Sequence, residues 1–267
     1  MRVKQVSNAL LNLGIKPQEK IAVFSQNCIQ YLYTDFGAYG IRVVSIPFYA
    51  TSSESQIQYM INDAEVKYLF VGEQDQYDKA HRIFPLCPSL ERIIIFDESV
   101  RVSSHDPNAI YFEDFLRLGE GLPRQTEVEK RWAEANEDDV CNILYTSGTT
   151  GASKGVILNY RQYNAAIIAN GKCVGVSDKD RAINFLPFTH VFERGWSYLC
   201  LSVGAQLIIN TYPKEIQDSM RETHPTCMSS VPRFWEKVYQ AVKAKMDEAS
   251  GVQRKLFNHA LSVGRRH

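Results

Sequence analysis

Short, nearly continuous apolar runs alternate along the chain with longer amphipathic stretches. A run of four or five apolar residues between turn residues is typical of a buried strand, whereas apolar positions three and four apart indicate a helix. The runs predict strands at Ile21–Ser25, Val43–Ile46, Tyr68–Val71, Ile93–Phe96, Asn142–Tyr145, Gly155–Leu158, Ala182–Leu186, Leu207–Asn210 and Cys227–Ser230.

The amphipathic stretches predict helices between many of these strands. Ser53 and Gln56 form a Ser-x-x-Gln pattern that is typical of a helix start. Because strands alternate with helices, the chain is predicted to be an α/β protein with a mostly parallel sheet covered by helices on both faces. The predicted helices are Val3–Leu13, Tyr31–Tyr39, Gln56–Asp63, Gln74–Phe84, Tyr160–Asn170, Trp196–Ser202, Glu215–Thr223 and Arg233–Ala249.

Two polar stretches interrupt the alternation. Ser99–Asn108 is predicted to be a surface loop, and Gly119–Asp139, which begins with glycines and a proline, is predicted to be a linker before a new strand.

Composition narrows the class of protein. The 267 residues include 30 Lys and Arg against 30 Asp and Glu, so no excess of positive charge favours binding to nucleic acid. No apolar run approaches the roughly 20 residues that span a bilayer, and the N-terminus lacks the apolar centre of a signal peptide. The six cysteines are irregularly spaced, which is typical of buried thiols in a reducing compartment. We therefore expect a cytoplasmic protein that binds no nucleic acid.

One segment carries a recognisable chemistry. An apolar strand, Ile143–Tyr145, leads into a turn rich in glycines and hydroxyls, and Lys154 and a second apolar strand follow. Glycines allow the backbone N–H groups to converge on an anion, hydroxyls add donors, and a lysine supplies a mobile charge. A hairpin rich in glycine and threonine with no ligand is the alternative. The turn is predicted to bind phosphates through Thr146, Ser147, Gly148, Thr149, Thr150, Gly151 and Lys154.

The spacing of this segment excludes one loop and matches another. Two residues separate Gly151 from Lys154 and Gly155 follows the lysine, so the Walker A pattern is absent. Tyr145–Gly155 instead resembles the nucleotide-loop signature of the adenylate-forming superfamily, roughly [ST]-S-G-[ST]-[ST]-G-x-P-K-G. Ser153 stands where that family usually has proline.

A second segment indicates a subgroup of that family. Asn184–Arg194 looks like the L-P-x-x-H-x-F-E-R segment of long-chain fatty acyl-CoA synthetases. The resemblance implies that His190 lies beside the acyl carboxylate; a capping or packing histidine is the alternative. Glu193 and Arg194 are interpreted as a local ion pair at a helix start. Ser229–Tyr239 is similar to the V-P-R-x-x-E-K-x-Y run of the same subgroup and is expected to pack the wall of the acyl pocket.

The resemblance implies a reaction with two steps. A fatty acid carboxylate attacks the α-phosphorus of ATP to give an acyl-adenylate, and the thiol of coenzyme A then displaces AMP. ATP, Mg²⁺ and coenzyme A are the implied cofactors and co-substrates, and His190 and Lys154 are the implied catalytic residues. Two alternatives stay open. One is adenylation of a different carboxylic acid with another acceptor, and the other is a truncated nucleotide-binding module without catalysis.

The resemblance covers only the N-terminal part of the family pattern. The family's adenine, ribose and Mg²⁺ contacts and its mobile C-terminal domain lie beyond the equivalent of His267, so no metal ligand is predicted within this chain. We expect a fragment that is inactive alone. By analogy, residues 15–175 form a first α/β subdomain, and residues 1–14 with 176–267 form part of an incomplete second. An incomplete second subdomain would leave apolar surface uncovered, which predicts self-association of the chain. A lipid substrate suggests peripheral contact with a membrane.

Overall fold

A computed structural model describes residues 2–104, 106–121, 125–146 and 153–264 of the chain. It confirms an α/β protein. Two compact units are present, Met1–Cys227 and Met228–His267. The strands are β1 Lys20–Phe24, β2 Val44–Phe48, β3 Val66–Val71, β4 Arg92–Ile95, β5 Ala109–Tyr111, β6 Val140–Thr146, β7 Lys154–Asn159, β8 Arg181–Asn184, β9 Gln206–Ile209 and β10 Cys227–Met228.

Helices connect most of these strands. They are α1 Arg2–Asn12, α2 Ile29–Tyr39, α3 Glu54–Ala64, α4 Gln74–Ile83, α5 Phe112–Arg117, α6 Gln125–Ala133, α7 Tyr160–Cys173, α8 Val191–Ser202, α9 Ile216–Thr223, α10 Pro232–Asp247 and α11 Gly251–Gly264. Within the described ranges, none of them is long and apolar enough to cross a membrane.

The larger sheet has the strand order β5-β4-β3-β1-β2-β6-β7. All neighbours in it are parallel except β6 and β7, which form an antiparallel pair. The carboxyl ends of β1, β2 and β6 therefore lie along the same edge of the sheet, where open α/β sheets bind their ligands.

Two apolar cores cover the two faces of this sheet, which explains why β1 is apolar from residue 21 to residue 24. Ile21 and Val23 pack into the core that α1, α2 and α5 cover, whereas Ala22 and Phe24 pack into the core that α3 and α4 cover. Successive side chains of a strand point to opposite faces, so a strand with a core on each side needs apolar residues at every position.

A smaller sheet with the order β10-β8-β9 follows, in which β8 and β9 are parallel. The unit Met228–His267 contains α10 and α11, and its described side chains include exposed apolar residues such as Trp235 and Leu256. The predicted division into residues 15–175 and residues 1–14 with 176–267 stays a prediction.

The predicted linker Gly119–Asp139 is wrong, because most of it is the helix α6 and the turns that follow it. Arg131 is 6% exposed and donates to the carbonyl oxygens of Ile41 at 3.1 Å and Ile15 at 2.8 Å. Trp132 donates to the carbonyl oxygen of Gly40. The polar composition hides a helix because a long arginine side chain, not an apolar stripe, anchors it.

Other predictions are sharpened or corrected. Ser53 accepts from the Gln56 N–H at 3.3 Å and Gln56 accepts from the Ser53 N–H at 2.9 Å, which confirms the capping box. The predicted series lacked β5, α5 and α11. The six thiols are unpaired, but only Cys87, Cys141 and Cys200 are buried as predicted; Cys28 and Cys227 are half-buried and Cys173 is exposed.

Candidate active site

The two ends of the predicted phosphate loop lie at the carboxyl edge of the large sheet. Thr146 is the last residue of β6 and Lys154 is the first of β7, and the two are paired across the hairpin. The Thr146 hydroxyl donates to the carbonyl oxygen of Lys154 at 3.4 Å. Both side chains are exposed. Antiparallel pairing thus fixes where the loop leaves the sheet and where it returns.

The other predicted phosphate-binding residues are outside the described part of the chain. They are Ser147, Gly148, Thr149, Thr150 and Gly151.

Gly155 allows the hairpin to close tightly behind Lys154. A Cβ added at Gly155 would lie 2.7 Å from Cγ2 of Ile143 and 3.4 Å from Cζ of Tyr145. Tyr145 is the direct cross-strand partner of Gly155. Cγ2 of Ile143 occupies the space that a side chain at residue 155 would need, whereas the Tyr145 ring lies at ordinary contact distance from it.

Tyr145 also ties the hairpin to helix α3. Its hydroxyl donates to Oδ2 of Asp63 at 2.5 Å, and its ring meets Tyr59 edge to face with centroids 6.4 Å apart. Burial and the hydrogen bond to Asp63 raise the pKa of Tyr145. The hydroxyl therefore stays protonated and continues to donate throughout the neutral range.

His190 lies at the N-terminus of α8. The backbone N–H of His190 donates to the carbonyl oxygen of Pro187 at 2.9 Å. The ring nitrogen Nδ1 accepts from the backbone N–H of Phe192 at 3.2 Å, so the imidazole caps the helix. A neutral imidazole that accepts at Nδ1 carries its proton at Nε2. The side chain is exposed. Capping was the alternative interpretation from the sequence; contact with a carboxylate stays a prediction.

The backbone before His190 is held by a buried asparagine that the motif does not contain. Strand β8 ends at Asn184, not at Leu186 as predicted. Asn27, beyond the end of β1, donates to the carbonyl oxygen of Leu186 at 2.8 Å and accepts from the Phe188 N–H at 2.9 Å. Its amide also donates to Oδ1 of Asn184 at 2.8 Å.

Glu193 and Arg194 do not form the local ion pair predicted for them. The Glu193 carboxylate accepts from the amide of Asn184, whereas Arg194 pairs with Asp35 of α2, with Nη1 2.5 Å from Oδ2. All four side chains are buried. Adjacent residues on a helix point about 100° apart, so each side chain meets a different element.

Arg194 uses its whole guanidinium. Nε donates to the carbonyl oxygen of Phe188 at 2.9 Å, and the other nitrogens reach the hydroxyls of Tyr198 at 2.7 Å, Tyr39 at 3.1 Å and Tyr31 at 3.2 Å. Burial by itself would lower the pKa of Arg194, but Asp35 and the tyrosines hold it well above its usual value. The guanidinium is therefore a permanent buried charge balanced by the Asp35 carboxylate.

The same cluster reaches the strand that leads into the phosphate loop. The Tyr39 hydroxyl donates to Oδ1 of Asn142 at 2.9 Å, and the Asn142 amide donates to the carbonyl oxygen of Ser45 at 2.6 Å. Asn142 is buried in β6, four residues before Thr146. Hydrogen bonds thus run without a break from β6 through Tyr39 and Arg194 to the turn before His190.

Sequence reasoning missed Asn27, Asp35 and Asn142. A signal for Asp35 existed, because it is a lone acid in the mostly apolar helix α2, and a buried acid is kept only with a partner. Nothing local distinguished Asn27 from an ordinary loop residue.

A cleft of about 390 Å³ opens at the same edge, beside β1, β3 and β4, but it does not include Thr146, Lys154 or His190. Its lining is acidic, although Glu73 accepts from Tyr212 and Glu113 pairs with Arg2 at 2.8 Å.

Mg²⁺ prefers oxygen ligands, above all carboxylates together with substrate phosphates. No group of three or more His, Cys, Asp or Glu side chains that could hold a metal occurs in the part of the chain that the structure describes.

Comparisons with known proteins identify the family and the relatives of this chain. A sequence model of the family described as AMP-binding enzyme matches residues 1–265. Fatty acyl-CoA synthetase A of Dictyostelium discoideum is 26% identical, over 98% of this chain and 39% of that protein. Long chain acyl-CoA synthetase 5 of Arabidopsis thaliana is 26% identical, over 97% of this chain and 40% of that protein.

Solved structures share the fold. ATP-bound MatB from Rhodopseudomonas palustris superposes with a TM-score of 0.70 at 22% identity, over 90% of this chain and 44% of that one. The chain spans about 40% of the length of the curated relatives it matches.

Proposed function

The chain belongs to the AMP-binding enzyme family, and on that premise we propose that it carries the phosphate-binding and carboxylate-binding part of an ATP-dependent acid–CoA ligase. One observation carries the proposal. Hydrogen bonds through Asn142, Tyr39 and Arg194 join the β6–β7 hairpin to the turn before His190. Thr146 and Lys154 flank the loop of that hairpin. A polyphosphate site and a carboxylate site at one sheet edge would bring together the two reactants of adenylation.

The proposed first step joins two anions. A carboxylate oxygen attacks the α-phosphorus of ATP, the new O–P bond forms, and the bond to the β-phosphate oxygen breaks to release pyrophosphate. Positioning and charge neutralisation do most of the catalysis in such a transfer. Lys154 would offset the charge of the β- and γ-phosphates together with the hydroxyl of Thr146, and Ser147, Gly148, Thr149, Thr150 and Gly151 would supply further donors.

His190 has a separate task in this proposal. With Nδ1 occupied by the Phe192 N–H, its Nε2–H is the group that would donate to a carboxylate oxygen. In the second step the thiol of coenzyme A attacks the acyl carbon, the C–S bond forms, AMP leaves with the C–O electron pair, and the thiol proton is lost.

The finer proposal is that the acid is a long-chain fatty acid. The Asn184–Arg194 segment supports it, as do relatives named fatty acyl-CoA synthetase and long chain acyl-CoA synthetase. Self-association and peripheral membrane contact stay predictions.

The phosphate site is testable in this chain with inorganic tripolyphosphate and ATP as calorimetric probes. Lys154→Ala should weaken both by about tenfold, or 1.4 kcal/mol, because the hairpin loses its point charge. Lys16→Ala is the matched control, since Lys16 is an exposed lysine before β1 and so at the opposite edge of the sheet. Equal loss in both variants, or no binding by the parent chain, would overturn the site.

The reaction is tested by ATP–pyrophosphate exchange with a panel of acids, in this chain joined to the remaining C-terminal part of a family member and in the purified chain alone. Exchange that depends on a long-chain fatty acid would support the finer proposal, and exchange with another acid would support the alternative substrate. Exchange by the purified chain alone would contradict the expectation that it is inactive alone. Nucleotide binding without exchange is the result expected of the purified chain alone; the same result for the joined protein would favour the non-catalytic module.

A further inference from the structure

Phe188 is held on both of its backbone polar groups by side chains from distant elements. Its N–H donates to Oδ1 of Asn27 at 2.9 Å, and its carbonyl oxygen accepts from Nε of Arg194 at 2.9 Å. Its ring is 1% exposed and packs against Tyr31 with centroids 5.5 Å apart. Phe188 is therefore a fixed point two residues before His190.

Asn27 holds more than this one amide. The same side chain donates to the carbonyl oxygen of Leu186 and to Oδ1 of Asn184. An amide is the side chain that can accept at one atom and donate twice at the other, so a carboxylate of equal size would lose both donors.

Arg194 can fix the Phe188 carbonyl group because its own guanidinium is held in place. Its ion pair with Asp35 is buried, and Oδ1 of Asp35 also accepts from Ser45 of β2 at 2.6 Å. The rigid fork of a guanidinium can hold the Phe188 carbonyl and Asp35 together, which the single ammonium of lysine does less well.

We infer that Asn27 and Arg194 are positioning residues that place His190 at the carboxyl edge without themselves touching substrate. The inference rests on the proposed function for the role of His190, while the placement rests on the contacts of Phe188 alone. Since a hydrogen bond to a reacting carboxylate requires a defined donor position, loosening Phe188 should weaken acyl recognition and leave polyphosphate binding unchanged.

The placement is tested by amide hydrogen exchange in the folded 267-residue chain. Asn27→Ala and Arg194→Lys should each speed exchange at Phe188 by about tenfold beyond any change at the core strands, because local opening then precedes global unfolding. Tyr68→Phe is the matched control, as it removes a buried hydroxyl that donates to Leu13 at 2.8 Å, away from the turn. Equal acceleration in the control would overturn the inference.

Asn27→Asp is a second variant that keeps the test possible if Asn27→Ala fails to fold. It keeps the acceptor for the Phe188 N–H and loses the donors to Leu186 and Asn184. Phe188 should then exchange more slowly than in Asn27→Ala. If the two variants exchange alike at Phe188, Asn27 does not act through that amide and the inference fails.

The effect of these residues on acyl recognition is tested by measuring the affinity for two probes, a non-hydrolysable fatty acyl sulfamoyl adenosine and tripolyphosphate. Asn27→Ala and Arg194→Lys should weaken the acyl-adenylate mimic by about tenfold with unchanged tripolyphosphate affinity, and the His190 imidazole NMR signals should shift. Equal loss for both probes would indicate a merely structural role and overturn the inference. If the parent chain binds neither probe, the proposed function fails, and the exchange at Phe188 still decides the placement.

Discussion

The hairpin β6–β7 and the turn from Leu186 to His190 carry the two candidate halves of the site, yet they are held in different ways. The residues beside the loop are held by the hairpin's own cross-strand pairs and by the bond from Tyr145 to Asp63, and its second strand exposes Val156 and Ile157 at 44% and 60%. The turn is supported by buried side chains of other elements, Asn27 and Arg194.

The difference follows from what each half must do. A phosphate can be held by mobile charges and by backbone N–H groups that a local turn presents, so a hairpin with one flexible lysine suffices. An imidazole that must donate in one direction needs its backbone fixed from outside the turn. The comparison predicts that mutations near the turn act through tertiary structure, whereas those at Lys154 and Gly155 of the hairpin act locally.

The largest effect is expected at the buried ion pair. Arg194→Met leaves the Asp35 carboxylate buried without its partner and should cost about 3–5 kcal/mol of unfolding free energy. Urea denaturation measures it. Arg221→Met is the control, because the Arg221–Asp218 pair is exposed and should contribute nothing measurable. A loss below about 1 kcal/mol for Arg194→Met would remove the distinction between the two regions.

A smaller effect is expected in the hairpin. Gly155→Ala would force a methyl group against Ile143 and should cost about 1–3 kcal/mol, with weaker tripolyphosphate binding. Gly175→Ala is the matched control, since a Cβ there meets no atom within 4 Å. If both alanine variants unfold at the same urea concentration, the close contact across the hairpin is not limiting.

Tyr145 tests the hairpin's tie to another element. Tyr145→Phe removes the hydrogen bond to Asp63 and should cost about 0.5–1 kcal/mol at neutral pH. The pKa of Tyr145 is raised in the folded chain. The Tyr145 hydroxyl therefore makes its full contribution to the free energy of unfolding below the unfolded-state pKa of about 10, and this contribution is lost as the pH rises above that value. The difference between parent and variant should therefore shrink at alkaline pH; a constant difference would exclude the hydroxyl as its source.

An effect of the same size as that of Tyr145→Phe separates the two roles of His190. His190→Ala removes a helix cap and should cost about 0.5–1 kcal/mol, whereas His190→Asn keeps a capping acceptor and should restore stability. Neither variant has the Nε2–H, so both should bind the acyl-adenylate mimic more weakly than the parent chain. If His190→Asn binds the acyl-adenylate mimic as tightly as the parent chain does, His190 serves only as a helix cap.

Local patterns predicted the repeating elements well because the reasons for them are local. Strand β1 is recognisable from its run of apolar residues, Ile21–Phe24, and the Ser53–Gln56 capping box is complete within four residues. Helix α6 was missed because Arg131 is anchored by carbonyl groups of Ile15 and Ile41, far away in the chain.

The chain's own order of residues settled the strand–helix alternation and the place of the glycine-rich turn between two strands. It did not reveal that Arg194 would choose Asp35, 159 residues away, over the adjacent Glu193, or that Asn27 would bind the turn before His190. Periodicity and capping are properties of neighbouring residues, whereas the pairing of buried charges depends on which elements the fold brings together.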